Sequence, residues 1–565
     1  MTFVYNDPED FADDQFAGFL DLYSDRLRSV PGGAVSHRGV EPIVAVVVGG
    51  GSGHYPAFCG LVGPGFASGA VVGNIFTSPS AAQVYSVAKA ADQGRGVVLT
   101  FGNYAGDVLN FGIAAERLRA EGIDTRIVVV TDDVASATEP QLRRGIAGDF
   151  TVFKALGAAA AAGLELDEVE RIGRAANDAT RSMGVAFSGC SMPGASTPLF
   201  TVPDGKMGVG LGIHGEPGIH DAPIATASEL ARLLVEPVLA ERPAGATRAA
   251  VIVNGLGTTK YEELFLLWSE IAPLLRDAGL ELVEPEVGEL VTSLDMGGCS
   301  LTAMWLDDEL ERVWTADAYT PAYRKQARAL SKLRPVATVG DAEYEAAPTP
   351  ASAAAAALGG AVIAGLQELA RTVRIHEEEL GRIDAVAGDG DHGRGMVKGA
   401  DAAAGAVRGR EGAGPAWLLT RAGLAWAAAA GGTSGVLWGA GLEAAGRALG
   451  DDHAEYVPAD AVAAVDAFRE AIIGLGRAEI GDKTIVDALI PFSDALRAAL
   501  ADGATLSSAW RAAASAAVTA AEATALLTPR KGRARPLAEK SVGTPDAGAT
   551  SFSLIVSALD GSLVG

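Results

Sequence analysis

The chain has 565 residues, 49% hydrophobic and 20% charged, which is the composition of a globular protein with several buried cores, and its length suits about three or four domains. Seventy acidic against 45 basic residues, a net charge of -25, argue against nucleic acid as a partner. Three scattered cysteines, Cys59, Cys190 and Cys299, form neither a disulfide framework nor a zinc spacing, which fits a reducing cytoplasm, and an acidic N-terminus without a long apolar run gives no sign of secretion or of a membrane partner.

From Pro42 to Asn254, β-branched runs at 43–48, 97–101, 127–131 and 251–254 alternate with glycine turns and helical stretches. This pattern predicts an α/β architecture. Helices are expected over 80–93 and from about Asp107 onward, and strand followed by crossover helix predicts a largely parallel sheet. Near Pro335 the texture changes, and VATVGDAEYEAAPTPAS reads as a linker. Alanine-rich stretches beyond it predict a close-packed all-α domain of about seven or eight helices. The division expected is therefore an α/β half at 1–335, a linker at 336–352 and an all-α half at 353–565.

Within the first half, VAVVVGGGSGHYP runs a buried strand into Gly49, Gly50, Gly51, Ser52, Gly53 and His54. Such a stretch is either a tight turn or a loop that brings a ligand close to the backbone. It has neither the GK[ST] of a phosphate-binding P-loop nor the GxGxxG of a dinucleotide site. His54 stands where ligands bind in open α/β sheets, at a strand's carboxyl end. In FGNYAGDVLNFG, Asp107 reads first as a helix N-cap. In MGVGLGIHGEPGIH, His214 is embedded in glycines and has few side-chain neighbours from its own segment, so it is not an ordinary core residue.

The second half contains HEEELGRIDAVAGDGDHGRGM, where a helix end and a glycine turn let Asp384, Asp389 and Asp391 converge. Solvated turn aspartates are the ordinary reading, but hard oxygen donors in this number also suit Mg²⁺ with phosphate oxygens and water as further ligands. Thr433 and Ser434 in GGTSGVLWG, and Lys483 and Thr484 in GDKTIVDAL, fall at helix starts suited to phosphate. TPRKGRARPLAEKS concentrates Arg530, Lys531, Arg533, Arg535 and Lys540, either as a solvated basic loop or as a lid over phosphates. Together these are the parts of a phosphoryl-transfer site.

In their order along the chain, GGGSGH, GNYAGDVLNFG and GLGIHGEPG, followed by GDGDHG, GGTSG and GDKT, resemble the dihydroxyacetone kinase family in its single-chain, ATP-dependent form. The resemblance covers nearly the whole chain. It implies an α/β ketose-binding half and an eight-helix barrel that holds Mg-ATP. His214 matches the histidine that adds to the substrate carbonyl as a covalent hemiaminal, a reaction open to a ketone and closed to glycerol. His54 and Asp107 match the acid/base pair at the attacking hydroxyl, and Gly51, Ser52 and Gly53 would line the ketose pocket. Asp384, Asp389 and Asp391 match the Mg²⁺ ligands. His392, Gly393, Arg394, Thr433, Ser434, Gly476, Thr484 and Arg533 fall at or near ATP contacts.

Departures from the family pattern bear on the substrate. The chain reads GHYPAF where relatives commonly read GHEPAH, which puts Tyr55 and Phe58 at exchanged positions, and it has Gly102 where they carry lysine and Asn74 where they carry aspartate. Polar contacts are exchanged, and removal of a lysine would create room. Erythrulose is therefore expected over dihydroxyacetone, as in the erythrulose kinase branch. Alternatives are a dihydroxyacetone or glyceraldehyde kinase with flavin-nucleotide cyclase side activity, and a nucleotide-bound phosphocarrier or regulatory module. A homodimer is the family habit.

Overall fold

The computed structural model describes residues 2–37, 39, 41–326, 348, 350–386, 388–530 and 540–559. The chain divides into two compact units, Met1–Pro335 and Val336–Gly565, fewer than length alone suggests because the first unit contains two sheets around a shared core.

The first sheet is made of β1 (Leu27–Val30), β2 (Gly33–Ser36), β3 (Ala45–Ser52), β4 (Gly69–Ile75), β5 (Val97–Gly102) and β6 (Thr125–Val130), in the order β1-β2-β4-β3-β5-β6. Valine runs make β3 and β5 buried strands, as expected of a sheet covered on both faces. Strand β3 continues through the glycines to Ser52. Crossover helices connect the later strands. Ala81–Ala91 starts at a Ser80–Gln83 capping box, and Ala105–Ala120 links β5 to β6. Strands β4, β3, β5 and β6 run parallel, so their carboxyl ends share one edge.

The second sheet departs from the parallel expectation. It consists of β7 (Thr180–Ala186), β8 (Lys206–Val209), β9 (His220–Pro223), β10 (Arg248–Gly255), β11 (Glu281–Leu282), β12 (Glu286–Gly288) and β13 (Gly298–Trp305). Here β10 pairs antiparallel with β13, β13 with β7, β7 with β8 and β8 with β9. Only short β11 and β12 run parallel to β10. Loops rather than crossover helices precede β9 and β13, and mixed Gly, Ser, Thr and Met content gave β7, β8 and β13 a weak strand signal. The helix Gly148–Ala161 packs against strands of both sheets and is buried along nearly its whole length, the pattern of a core helix rather than a surface one.

In the second unit, eight helices form a closed ring: Ala353–Ile375, His392–Ala406, Pro415–Ala430, Gly432–Leu449, Pro458–Gly476, Val486–Ala501, Leu506–Ala523 and Ala547–Ala558. Each packs on the next and the last packs on the first. A ninth described segment, Glu377–Asp384, packs beside the ring. Small residues permit the close approach: a Cβ on Gly423 would lie 2.5 Å from the Gly439 carbonyl oxygen. Trp426 and Trp438 stack at 5.1 Å inside the ring. Ala353–Ile375 is long and apolar enough by itself to cross a membrane, and in the ring its Ile363, Leu366, Leu369 and Val373 face the barrel core. Because neighbouring helices of such a ring alternate in direction, the described segments 388–391, Gly431, 477–485, 524–530 and 540–546 all fall at one end.

Candidate active site

At the shared carboxyl edge of the parallel strands, β3 leads into His54 and β5 into Asp107, while the loop after β8 brings His214 to meet them. His54 is buried, and its Nδ1 donates to the Thr292 carbonyl at 2.7 Å. Its Nε2 lies 3.0 Å from Nε2 of His214. His214 Nδ1 donates to Glu216 Oε1 at 2.9 Å, and the His214 backbone N–H donates to Glu216 Oε2 at 3.0 Å. A carbonyl and a carboxylate can only accept, so both Nδ1 atoms carry hydrogen. One further proton then lies between the two Nε2 atoms.

Burial and neighbouring charge act on His54 and Glu216 in opposite senses. Burial, reinforced by the charge of His214, pushes the His54 imidazole down to about 3. Burial alone would raise the Glu216 carboxyl, but the hydrogen bond and charge of His214 outweigh it and hold the group at about 2. Charge on the His54 ring is thus disfavoured, and the Glu216 carboxylate lies against His214 Nδ1. Arg144 stands 3.9 Å from Glu216 and is itself anchored on buried Asp133 at 2.8 Å. Phe76 stacks on His54 at 5.1 Å and meets His214 edge-on at 5.0 Å, while Tyr104 meets His214 edge-on at 4.8 Å. The aromatic walls keep the pair in a low-dielectric setting.

Asp107 is not the N-cap expected from its position. Tyr104 occupies that place, and Asp107 lies in the first turn of Ala105–Ala120, buried and accepting from Ser78 Oγ at 2.8 Å. Burial raises its carboxyl, and the Ser78 bond and His214 only partly offset this. Among the glycine-loop residues, Gly53 has φ of +101°, a conformation that favours glycine, and its carbonyl accepts from Leu294 N–H at 2.8 Å. A Cβ on Gly51 would meet the Thr77 nitrogen at 2.6 Å, and the Ser52 hydroxyl donates to the Gly73 carbonyl. The room expected at Gly102 is absent: a Cβ there would already meet the Tyr104 ring at 3.1 Å and the Gly145 carbonyl at 3.2 Å.

At one end of the barrel, Asp384 closes the helix Glu377–Asp384 and Asp391 precedes His392–Ala406. Each of Asp384, Asp389 and Asp391 can offer an oxygen within 4.8 Å of the others, the hard donor set that Mg²⁺ takes. His392 Nε2 lies 3.0 Å from Ser551 Oγ, which fastens this turn to the last helix of the ring. Gly393 packs where a Cβ would meet the Glu377 carbonyl at 2.1 Å, and Arg394 is exposed in the same first turn. Thr433 and Ser434 open Gly432–Leu449, whose start has no side-chain cap, leaving backbone N–H groups for an anion. Gly476 ends its helix, and Thr484 precedes Val486–Ala501 with its N–H on Asp487 at 2.7 Å. Lys483 instead points inward, donating to the Leu527 carbonyl at 3.1 Å and the Ser541 carbonyl at 2.6 Å. Arg533, with Lys531 and Arg535, lies outside the described residues.

Comparison with known proteins places both halves. Residues 17–322 match the Dak1 domain and residues 386–561 match the DAK2 domain. A D-erythrulose kinase of Mycolicibacterium smegmatis is 57% identical over 98% of this chain and 97% of its own length. The chain belongs to the dihydroxyacetone kinase family, in its single-chain form. An L-erythrulose kinase of Pectobacterium atrosepticum, 53% identical over 100% of this chain and 97% of its own, is another relative. The crystal structure of the dihydroxyacetone kinase of C. freundii in complex with AMP-PNP and Mg²⁺ is similar at a TM-score of 0.60 and 30% identity, covering 99% of each chain. For this member of the dihydroxyacetone kinase family, sequence reasoning missed Glu216, Ser78 and Thr292. Glu216, two residues after His214 in HGEP, was the legible one. Thr292 and Ser78 lie 238 and 29 residues from their partners, and only the fold joins them.

Proposed function

We propose that this chain phosphorylates a terminal hydroxyl of a short-chain ketose, erythrulose in preference to dihydroxyacetone, while the ketose is held as a hemiaminal on His214. The enzyme class is that of an ATP-dependent carbohydrate kinase with Mg²⁺. The preference for erythrulose is supported by the two erythrulose kinases and by the exchanged residues Tyr55, Phe58, Asn74 and Gly102. The covalent step is supported by one observation above others, the hydrogen-bonded row Thr292–His54–His214–Glu216. We assign ketose handling to 1–335 and nucleotide handling to 353–565, with 336–352 as the linker.

Loss of the shared proton to His54 frees the His214 Nε2 lone pair, which adds to the ketone carbon. The N–C bond forms as the C=O π bond opens, and the carbonyl oxygen takes the proton back from His54 Nε2. The new cation on the His214 ring keeps its Nδ1–H on Glu216, whose carboxylate offsets the charge. Asp107, raised by burial and close to His214, is placed to accept the proton of the terminal hydroxyl. Mg-ATP supplies the phosphoryl group, with Asp384, Asp389 and Asp391 as the residues to hold the ion.

The test is ADP release from Mg-ATP with dihydroxyacetone, both erythrulose enantiomers and glycerol. An erythrulose enantiomer with the highest kcat/KM and inert glycerol are the expected results. Glycerol turned over as fast as the ketoses would end the hemiaminal reading.

A further inference from the structure

Asp149 is the second residue of the core helix Gly148–Ala161, at the carboxyl edge of the parallel strands. Only 4% of it is exposed, its Oδ1 is fully buried, and its carboxyl makes no hydrogen bond among the described residues. Its neighbours differ in this respect. Asp132 accepts from Ile146 N–H at 2.9 Å and Gly148 N–H at 2.8 Å, and Asp107 accepts from Ser78. Buried polar groups are almost always paired, so an unpaired carboxyl beside a reactive site calls for a ligand.

The surroundings point toward the ketose. Asp149 Oδ1 lies 3.1 Å from where a Cβ on Gly145 would stand, and a Cβ there would come within 2.4 Å of Gly102 Cα, the end of β5. Tyr104, edge-on to His214, donates from its hydroxyl to the Gly145 carbonyl at 3.0 Å. The acid thus lies against the Gly145 backbone that Tyr104 also holds, and Asp107 and Asp132 are near enough to act on it. Burial first, and these two carboxylates second, push it well above the ordinary carboxylate value, which favours the neutral acid. A carboxylic acid offers an O–H donor and a C=O acceptor, the complement of an alcohol.

We propose that Asp149 is a specificity-determining residue that pairs with the hydroxyl a four-carbon ketose carries and a three-carbon ketose lacks. The inference rests on the ketose-kinase reading above. It supplies the selectivity that the filled space at Gly102 does not, because a site built to pair a hydroxyl discriminates against a substrate without it.

The test compares the full-length wild type with Asp149→Ala and Asp149→Asn, measuring kcat/KM for erythrulose and for dihydroxyacetone together with the melting temperature. Asp149→Ala is expected to lower the erythrulose value by roughly 10- to 100-fold more than the dihydroxyacetone value. Its melting temperature should equal or exceed that of the wild type, because an unpaired buried carboxyl is removed. Asp149→Asn, neutral with donor and acceptor, should recover most of the erythrulose activity. Equal losses on both ketoses, or a lower melting temperature accompanying them in both variants, would overturn the inference and leave a structural role. A wild type that prefers dihydroxyacetone would instead overturn the substrate reading, whatever the variants do.

Discussion

In the α/β unit His54 and Asp107 are buried and His54, His214 and Glu216 are already hydrogen-bonded in a row, with His214 and Glu216 partly exposed, whereas at the barrel end Asp389 and Asp391 are exposed and Asp384 half-exposed. On the proposed reading, the difference follows the chemistry of what each unit would handle. Adding a nitrogen to a ketone requires a proton held at a defined atom, and a hydrogen-bonded row such as Thr292–His54–His214–Glu216 suits that. Mg²⁺ with nucleotide phosphates brings its own charge and keeps water ligands, so its site needs donors at an open mouth more than enclosure. On that reading one unit is preorganised around a bond to be made, and the other presents groups to a charged visitor.

Substitutions on each side should break activity in distinguishable ways. His214→Ala removes the proposed nucleophile, and kcat with erythrulose is expected to fall by at least about 1000-fold while nucleotide binding, followed by calorimetry, is unchanged. Asp389→Asn removes charge at the metal turn and should lower kcat by roughly 100-fold with a raised Mg²⁺ requirement, yet leave ketose binding to the nucleotide-free enzyme intact. If either variant lost both binding functions, the division between the units would fail.

Glu216→Gln sharpens the comparison within the ketose site. The amide can still accept from His214 Nδ1 but no longer offsets the ring's charge. We expect kcat/KM to fall by about 10- to 100-fold with less effect on the melting temperature than on rate. The carboxylate, which despite burial is held at about 2 by its bond to His214, stays charged over the working range, so the loss in rate should persist across neutral pH. An unchanged kcat/KM would show Glu216 to be a spacer rather than an electrostatic partner.

Much of this arrangement was legible from short-range signals. Valine runs ending in glycine placed His54 at a strand's carboxyl end, and a helix end followed by GDGDHG brought the three aspartates together. Sequence-local evidence ended where contacts became long-range. Antiparallel pairing of β13 with β7 and β10 depends on loops that return the chain beside distant strands, so the second sheet was misread as parallel. Asp107 looked like a helix cap because aspartate is a good one, and only the fold buries it against Ser78. Gly102 suggested a vacancy, but a missing side chain does not leave space when Tyr104 and Gly145 close over it. Asp149 gave no signal at all, since an aspartate at a helix start is ordinary until its burial is known.

The smallest expected effect lies at the barrel end and concerns stability. Asp546 caps Ala547–Ala558, accepting from Ala549 N–H at 2.7 Å. Burial drives its carboxyl up to about 7, with Asp487 adding to the rise and the Ala549 bond and Lys483 opposing it. A carboxyl raised on folding gives stability that is fully present below its unfolded value of about 3.9 and is lost as pH rises through the folded one. Asparagine caps a helix equally well and does not ionise. Asp546→Asn should therefore melt with the wild type near about pH 4 and about 2–4 °C above it near about pH 8. The same helix carries Ser551, which fixes His392 beside Asp391, so a gain at the higher pH would tie the pH response of the barrel to the turn that presents its carboxylates. Melting curves that coincide at both pH values would show that Asp546 ionises without strain and that this end is open enough to hydrate it.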